Sequence, residues 1–106
     1  MMVYIKSPAI EFRLPPQNDL IVVEGYCHQA CYEEIRFRYD IYAQTFPESY
    51  NVIEGYTLTD GSFVDRIEAY KIADITRMLK DMYSGIDYKF ARLESYMIKK
   101  YGGPVW

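Results

Sequence analysis

The sequence predicts an α+β fold, a small antiparallel sheet with two to three helices packed on one face, in a single domain over residues 1–106. Short β-branched stretches are separated by turn sequences, as is typical of β-hairpins. Between and after these stretches, apolar residues recur at helical spacing. The chain has no long βαβ pattern and no glycine-rich phosphate loop, so a parallel sheet is not indicated.

The N-terminal quarter predicts a hairpin. Val3–Ile5 and Ala9–Leu14 look extended, and the second stretch alternates apolar and charged residues, the pattern of a half-buried strand. The sequence PPQND then favours a turn. Leu20–Gly25 is apolar and β-branched, which predicts a second and more deeply buried strand.

A first helix is predicted from about Cys27 to Phe46, because Pro47 would end it. Five residues of this segment recur at helical spacing, with charged residues between them: Cys27, Cys31, Ile35, Tyr39 and Tyr42.

A second hairpin follows. Asn51–Thr59 looks extended, and Asp60-Gly61 is the strongest short hairpin signal in the chain. Ser62–Val64 is the predicted return strand.

Two further helices are predicted after this hairpin. Asp65 is a good N-cap and Glu68 follows three residues later, as in a capping box. One face of this helix is lined by Ala69, Ile72, Ala73, Thr76 and Leu79. A third helix is predicted from Asp87 to about Lys100, with three residues turned inward: Phe90, Leu93 and Met97.

Composition and charge narrow the classes of partner. A net charge of −3 gives no global field that would attract long nucleic acid or an anionic membrane. No apolar stretch of about 18 residues is present, so no membrane span is predicted. The N-terminus has no secretory pattern, so we expect a cytoplasmic protein. The twelve tyrosines suit subunit contacts and stacking surfaces.

Catalytic constellations are weak in this sequence. Cys27, His28 and Cys31 form a single Cys/His group, whereas zinc usually requires two pairs of ligands. The chain has one histidine and no Gly-x-Ser-x-Gly motif, so no nucleophile and base pair is indicated. We therefore predict a protein that is not an enzyme, with no catalytic residue, no metal and no cofactor.

Arg66 is the most informative charged residue. It follows the predicted N-cap, and its spacing to Ala69 and Ala73 puts it on the apolar side of the helix. A helix N-terminus attracts anions, and a guanidinium beside it can bind phosphate as a fork. The alternative is an ion pair with an acidic neighbour across a subunit contact. Spacing alone favours that ion pair.

Two segments resemble small phage and prophage proteins. The stretch EGYTLTDGSFVDRIEAYKIA (Glu54–Ala73) is similar to a pattern in which Gly-Arg-Phe-Val-Asp-Arg-x-Glu-Ala leads into a helix of small residues. The earlier stretch Pro8–Ile35 is similar to two strands leading to a Gly, a His and often a Cys on the first helix. On these residues, over about positions 8 to 75, the chain resembles the Thoeris anti-defence sponge family of phages.

The resemblance implies a ligand site around the second segment. In that family, arginines of this stretch meet the phosphates of the ligand. Arg66 matches the second of them, Phe63 and Asp65 match beside it, and Ser62 stands where the first arginine would be. The expected ligand-binding residues add one aromatic residue and the histidine to these four: Arg66, Ser62, Phe63, Asp65, Tyr56 and His28.

The resemblance also implies the function. Members of the family form dimers or assemblies of dimers, and they sequester cyclic ADP-ribose-type signals without catalysis. We therefore expect a phage-encoded anti-defence protein, a homodimer or a larger oligomer built from dimers, that binds a cyclic nucleotide in the host bacterial cytoplasm. Two alternatives remain, a protein-binding inhibitor of a host defence complex, of anti-CRISPR or anti-restriction type, and a small hydrolase or lyase acting on the same signals.

Overall fold

Four strands form one antiparallel sheet in the computed structural model, which describes residues 2–41 and 50–99. The strand order is β2-β1-β3-β4, and each neighbouring pair is antiparallel. The elements, in chain order, are β1 (Ile5–Leu14), β2 (Asp19–Glu24), α1 (His28–Tyr39), β3 (Ile53–Leu58), β4 (Phe63–Asp65) and α2 (Arg66–Ile75). This architecture confirms the predicted α+β class with helices on an antiparallel sheet.

Both helices pack on the same face of the sheet, called here the inner face. Register puts Ile10 opposite Val23 on one side and opposite Glu54 on the other, so these three side chains share that face. The core on this face has two parts. Ile10, Phe12 and Val23 pack with two α1 residues, Cys31 and Ile35. The second part surrounds α2 and contains Ile5, Tyr56, Leu58, Ala69, Tyr70, Ala73 and Leu93.

The first hairpin forms where predicted, but β2 lies at the edge of the sheet and within it only Val23 is buried, so the prediction that it is the more deeply buried strand is wrong. In addition, β1 is one continuous strand where the sequence predicted two short stretches. Pro8, which lacks an N–H, still contributes its carbonyl oxygen, which accepts a hydrogen bond from Gly25 N at 3.0 Å. A shift of register between Ile5 and Ser7 adapts the strand to β3.

Helix α1 ends earlier than predicted. Its last residue is Tyr39, and Asp40 adopts a left-handed conformation (φ 56°) while donating its backbone N–H to Arg36 O at 3.0 Å. A left-handed residue at this position terminates a helix, so the prediction that the helix continues is wrong at Asp40 and Ile41. The rest of the predicted extension, to Phe46, lies outside the described residues. Pro47, the predicted stop, lies outside the described residues.

The N-terminus of α2 confirms the predicted cap. An Asp65 Oδ1 accepts a hydrogen bond from Glu68 N at 2.9 Å. The helix ends at Ile75, and Arg77 then takes a left-handed conformation with φ 60°. The predicted apolar face is therefore shorter than expected, and Leu79 lies beyond the helix, where it bridges to Ile98.

The predicted third helix, Asp87 to about Lys100, is wrong over its described part. Residues 87–99 contain no α-helix, only turns and a 3₁₀ turn at Ser95–Met97. This segment satisfies its backbone on the rest of the domain, since Leu93 N donates to Arg66 O (2.8 Å) and Lys80 N donates to Met97 O (2.8 Å). Leu93 is buried as predicted, but Phe90, expected to face inward, is 80% exposed.

No helix in residues 2–41 and 50–99 has the length and apolar character that a bilayer span requires.

Gly55 allows a close approach of β3 and β4. A Cβ atom at this position would lie 2.7 Å from Phe63 Cζ and closer still to the carbonyl oxygen of Val64. Phe63 and Gly55 share the outer face, so the phenyl ring covers the space that a side chain would fill.

We expect Gly55→Ala to lower the free energy of unfolding by about 3 kcal/mol, because the added methyl group forces β3 and β4 apart. The matched control is Gly85→Ala, where nothing lies within 4 Å of the new Cβ and only the positive φ is unfavourable, at about 1 kcal/mol. Urea unfolding of both variants measures the difference. Equal losses in the two variants would contradict the close approach.

Candidate functional site

The two helices begin beside the same residue of the sheet. His28 is the first residue of α1, Arg66 is the first residue of α2, and Glu54 stands on the inner face of β3. Arg66 Nη2 lies 2.6 Å from Glu54 Oε1 and 3.0 Å from His28 Nδ1. Side chains that are far apart in the sequence therefore form one connected cluster, called here the arginine cluster: His28, Glu54, Arg66, Leu93 and Glu94.

Arg66 uses both ends of its guanidinium within the chain. Nη1 donates to Leu93 O at 3.0 Å and pairs with Glu94 Oε2 at 2.7 Å, while Nη2 serves Glu54 and His28. Only 17% of the side chain is exposed. Burial by itself lowers the pKa of Arg66, but the hydrogen bond to Glu54 and the charge of Glu94 outweigh it, so the pKa is raised. Arg66 is a permanently charged centre of this cluster.

The contacts of His28 define its tautomer. Nε2 lies 2.8 Å from the carbonyl oxygen of Gly55, which can only accept, so Nε2 carries the hydrogen. Nδ1 therefore accepts from Arg66 Nη2, which can only donate. Both ring nitrogens of His28 are therefore occupied by partners within the chain.

Glu54 is a half-buried carboxylate with two strong partners. Oε1 accepts from Arg66, and Oε2 accepts from Tyr32 Oη at 2.7 Å. Burial raises the pKa of Glu54, but the hydrogen bonds from Tyr32 and Arg66 outweigh it, so the pKa is lowered. Burial and the hydrogen bond to Glu54 raise the pKa of Tyr32. Glu54 therefore stays ionised and ties α1 to the arginine cluster.

The C-terminal segment completes the cluster through Leu93. Its N–H donates to Arg66 O at 2.8 Å, and its carbonyl oxygen accepts from Arg66 Nη1 and from Tyr56 Oη at 3.2 Å. The Leu93 side chain is fully buried. The backbone of its neighbours Arg92 and Glu94 is thereby held close to Arg66.

A pocket of about 300 Å³ opens beside the cluster. Its lining combines two guanidinium groups, two carboxylates and three aliphatic side chains, from Arg66, Arg92, Glu54, Asp65, Val52, Ile53 and Ile67. Arginines can bind phosphate, carboxylates can accept from hydroxyl or amino groups, and aliphatic side chains can cover the face of a base. These are the groups that a nucleotide presents.

A second cavity, of about 450 Å³, lies at the other end of α2. Its charged groups are two carboxylates and two cations, from Asp74, Asp81, Arg77 and Lys99. Asp74 already accepts a hydrogen bond from Tyr88 Oη at 2.7 Å. We assign it no ligand.

The expected site residues divide into two groups. Arg66 and His28 are in direct contact, Asp65 lines the pocket with Arg66, and the fully buried Tyr56 lies beneath them with its ring 5.2 Å from that of His28.

Ser62 and Phe63 are not brought to the cluster. The Ser62 hydroxyl donates to Asp60 Oδ1 at 2.6 Å in the turn before β4, and Phe63 covers Gly55 on the outer face. The two residues belong to the hairpin and not to the pocket.

The sequence did not indicate the two acidic partners of Arg66 or the second arginine of the pocket. Glu54 carried a usable signal, since a carboxylate that alternates with Tyr56 and Leu58 must face the core. Arg92 and Glu94 carried none, because the helix predicted there would have separated them from α2.

In residues 2–41 and 50–99, no group of three or more His, Cys, Asp or Glu side chains is placed to hold a metal ion. Cys27 and Cys31 are both free thiols. Burial, followed by the nearby Cys27, raises the pKa of Cys31 to about 11, so its thiol is protonated at neutral pH.

Comparisons with known proteins add no relative. No protein-family model matches the chain, and no curated protein or solved structure shows significant similarity to it. The function is therefore argued from the residues and their contacts.

We expect Arg66→Ala to reduce the free energy of unfolding by about 2 kcal/mol, less than for a fully buried ion pair because both carboxylates are partly exposed. The matched control is Arg38→Ala, which removes an arginine from an exposed pair with Glu34 on α1 and should cost less than about 0.5 kcal/mol. Chemical denaturation monitored by circular dichroism measures both. An Arg66→Ala variant as stable as Arg38→Ala would contradict a structural role for the cluster.

We expect the stability that Glu54 contributes to disappear in acid. Its pKa is lowered in the folded state, so the carboxylate stabilises the fold near neutrality and this contribution is lost as the pH falls through the folded pKa. Glu54→Gln should therefore be less stable than the parent protein at pH 7, and the difference should shrink toward pH 3. Glu33→Gln, an exposed change on α1 with the same effect on net charge, is the control. A difference that does not change with pH would contradict the ionised state of Glu54.

Proposed function

We propose that this protein is a phage-encoded anti-defence protein that binds a cyclic nucleotide immune signal of cyclic ADP-ribose type and sequesters it, without catalysis, in the host bacterial cytoplasm. One observation carries the proposal. The two segments that resemble the sponge family contribute His28 and Arg66, and these residues form a hydrogen bond at 3.0 Å beside a pocket. Segments that share only a structural role would not need to meet at a polar pocket.

The lining of the pocket supports a nucleotide in particular. Arg66 and Arg92 offer cations for phosphate, and Ile53 and Ile67 offer partly exposed apolar side chains for a base. Glu54 and Asp65 offer acceptors for ribose hydroxyls. These groups support a nucleotide ligand.

Binding must compete with the carboxylates already on Arg66. Counting the pocket arginines against Glu54, Asp65 and Glu94, the site has two positive and three negative side chains. Glu94 is the easiest to displace, because its side chain is 42% exposed and returns readily to water. We propose that a ligand phosphate takes its place on Arg66 Nη1.

We also propose that the protein works as a homodimer or as a larger assembly of dimers. The outer face of the sheet exposes Leu20, Val22 and Ile53, and no described helix covers it. Glu11 and Arg13, two residues apart on β1, lie next to each other on the same face. A second copy related by a two-fold axis would pair each with its opposite charge, as an isologous interface requires. Ile53 also lines the pocket, so the second copy would border the ligand.

Isothermal titration calorimetry with cyclic ADP-ribose, its isomers, and cyclic di- and trinucleotides tests the function. We expect one of them to bind, and heat denaturation of the complex to release it with unchanged mass. Native mass spectrometry of the same samples gives the number of subunits. Binding by none of them would refute the proposal, and a changed ligand mass would favour the hydrolase or lyase.

Glu94→Gln gives a sharper test, because we expect it to increase affinity. Removing one negative charge next to Arg66 should tighten binding of a phosphate by about three- to tenfold. Glu34→Gln, which removes a carboxylate from the exposed pair on α1, is the control and should leave affinity unchanged. Unchanged or weaker binding by Glu94→Gln would place the phosphate elsewhere.

One observation favours the alternative of a protein-binding inhibitor. Tyr26, Phe37 and Phe90 are each at least 80% exposed, and exposed aromatic side chains are typical of protein interfaces. A host protein that co-purifies in a fixed ratio, and whose binding is lost in Phe37→Ala, would support this alternative.

A further inference from the structure

We infer that Arg92 is the second phosphate-binding cation of the pocket. It would take the place of the first arginine of the family pattern, whose position is occupied here by Ser62. This inference rests on the proposed function, because it assigns a ligand contact within the same site. Two arginines in one pocket suit a ligand with two neighbouring anionic groups, such as a pyrophosphate. Arg66 and Arg92 would each bind one of them.

Ser62 cannot provide this contact in the observed fold. It precedes β4, whereas Arg66 follows it, so the two residues lie at opposite ends of that strand. Four residue steps of extended chain, from Ser62 to Arg66, span about 13 Å. The Ser62 hydroxyl and backbone N–H are also both bonded to Asp60 Oδ1, at 2.6 and 3.0 Å.

Arg92 is placed where the missing cation is needed. It lines the same pocket as Arg66, and its side chain is exposed. Within residues 2–41 and 50–99 it forms no ion pair, whereas Arg66 is paired with two carboxylates. The charge of Arg92 is therefore available to an incoming anion without prior displacement of a protein group.

The position of Arg92 is fixed by its neighbours. Ala91 and Leu93 are both buried, and Leu93 is joined to Arg66 by hydrogen bonds from its N–H (2.8 Å) and to its carbonyl oxygen (3.0 Å). The backbone of Arg92 is thereby held next to Arg66, while its side chain can turn toward a ligand. A preset backbone position reduces the entropy that binding would otherwise cost.

The two arginines have different roles in this arrangement. Arg66 is rigid and partly neutralised, so its Nη1 holds the first anionic group in a fixed direction. Arg92 is exposed and adaptable, so it adds attraction for the second group and increases the dependence of binding on salt. A ligand with a single phosphate would use only one of them.

Calorimetric titration with cyclic ADP-ribose and, separately, with inorganic pyrophosphate tests the assignment. We expect Arg92→Ala to weaken binding of both probes by about ten- to thirtyfold, as expected for one charge-assisted hydrogen bond, with an unchanged melting temperature. Arg92→Lys should retain part of the affinity. Lys89→Ala, which removes the same charge from the same exposed segment, is the matched control and should bind as the parent protein does.

The outcomes separate the two proposals. Binding of cyclic ADP-ribose that is equal in Arg92→Ala and the parent protein would overturn the role of Arg92 and leave the sponge function standing. Binding of pyrophosphate but not of cyclic ADP-ribose, lost in Arg92→Ala, would support the role of Arg92 and exclude cyclic ADP-ribose as the ligand; the sponge function would then fail only if the isomers and the cyclic di- and trinucleotides also did not bind. Binding of neither probe by the parent protein would overturn the assignment of Arg92 as a phosphate ligand.

Discussion

The guanidinium group of Arg66 connects parts of this domain that strand pairing does not join to one another. Strand pairing and helix packing account for β1 to β4 and for the apolar faces of α1 and α2. Arg66 then connects the start of α1, the inner face of β3 and the C-terminal segment. A charge with so little exposure requires opposite charges or hydrogen-bond acceptors around it, and Arg66 has both. Its partners are two carboxylates, a carbonyl oxygen and an imidazole nitrogen.

The same compensation limits what the site can bind. Each group that stabilises Arg66 in the unliganded protein also competes with an anion for its N–H donors. Stability and affinity therefore depend on the same hydrogen bonds and change in opposite directions when Glu94 is altered. Functional sites commonly show this opposition, because a charge left fully available would destabilise the fold.

The features of the fold that depend on local sequence signals were predicted from the sequence. Both hairpins, the N-cap of α2 and the fold class follow from turn residues, alternation and capping, which act over a few residues. The sequence also placed Arg66 correctly at the first turn of α2. The end of α1 was missed because Asp40 takes a left-handed conformation without the glycine that usually marks one.

The contacts that complete the site could not be predicted in the same way. The periodicity of Phe90, Leu93 and Met97 fits a helix, but the backbone of this region forms its hydrogen bonds with residues far away in the sequence. Only the tertiary fold shows that Leu93 pairs with Arg66, and with it the positions of Arg92 and Glu94. Glu54 alone could have been recognised beforehand, from its place on a buried strand face.

The dependence of the C-terminal segment on long-range hydrogen bonds has a consequence for the order of folding. Leu79 pairs with Ile98, Lys99 N donates to Met78 O, and Leu93 N donates to Arg66 O, yet residues 87–99 contain no α-helix of their own. A segment without local structure cannot be ordered before the surface on which it docks exists. Residues 87–99 therefore depend on the rest of the domain for their order, and the pocket, which Arg92 lines, is complete only when this segment has docked. During translation, the site therefore cannot be complete while Leu93 is still inside the ribosome.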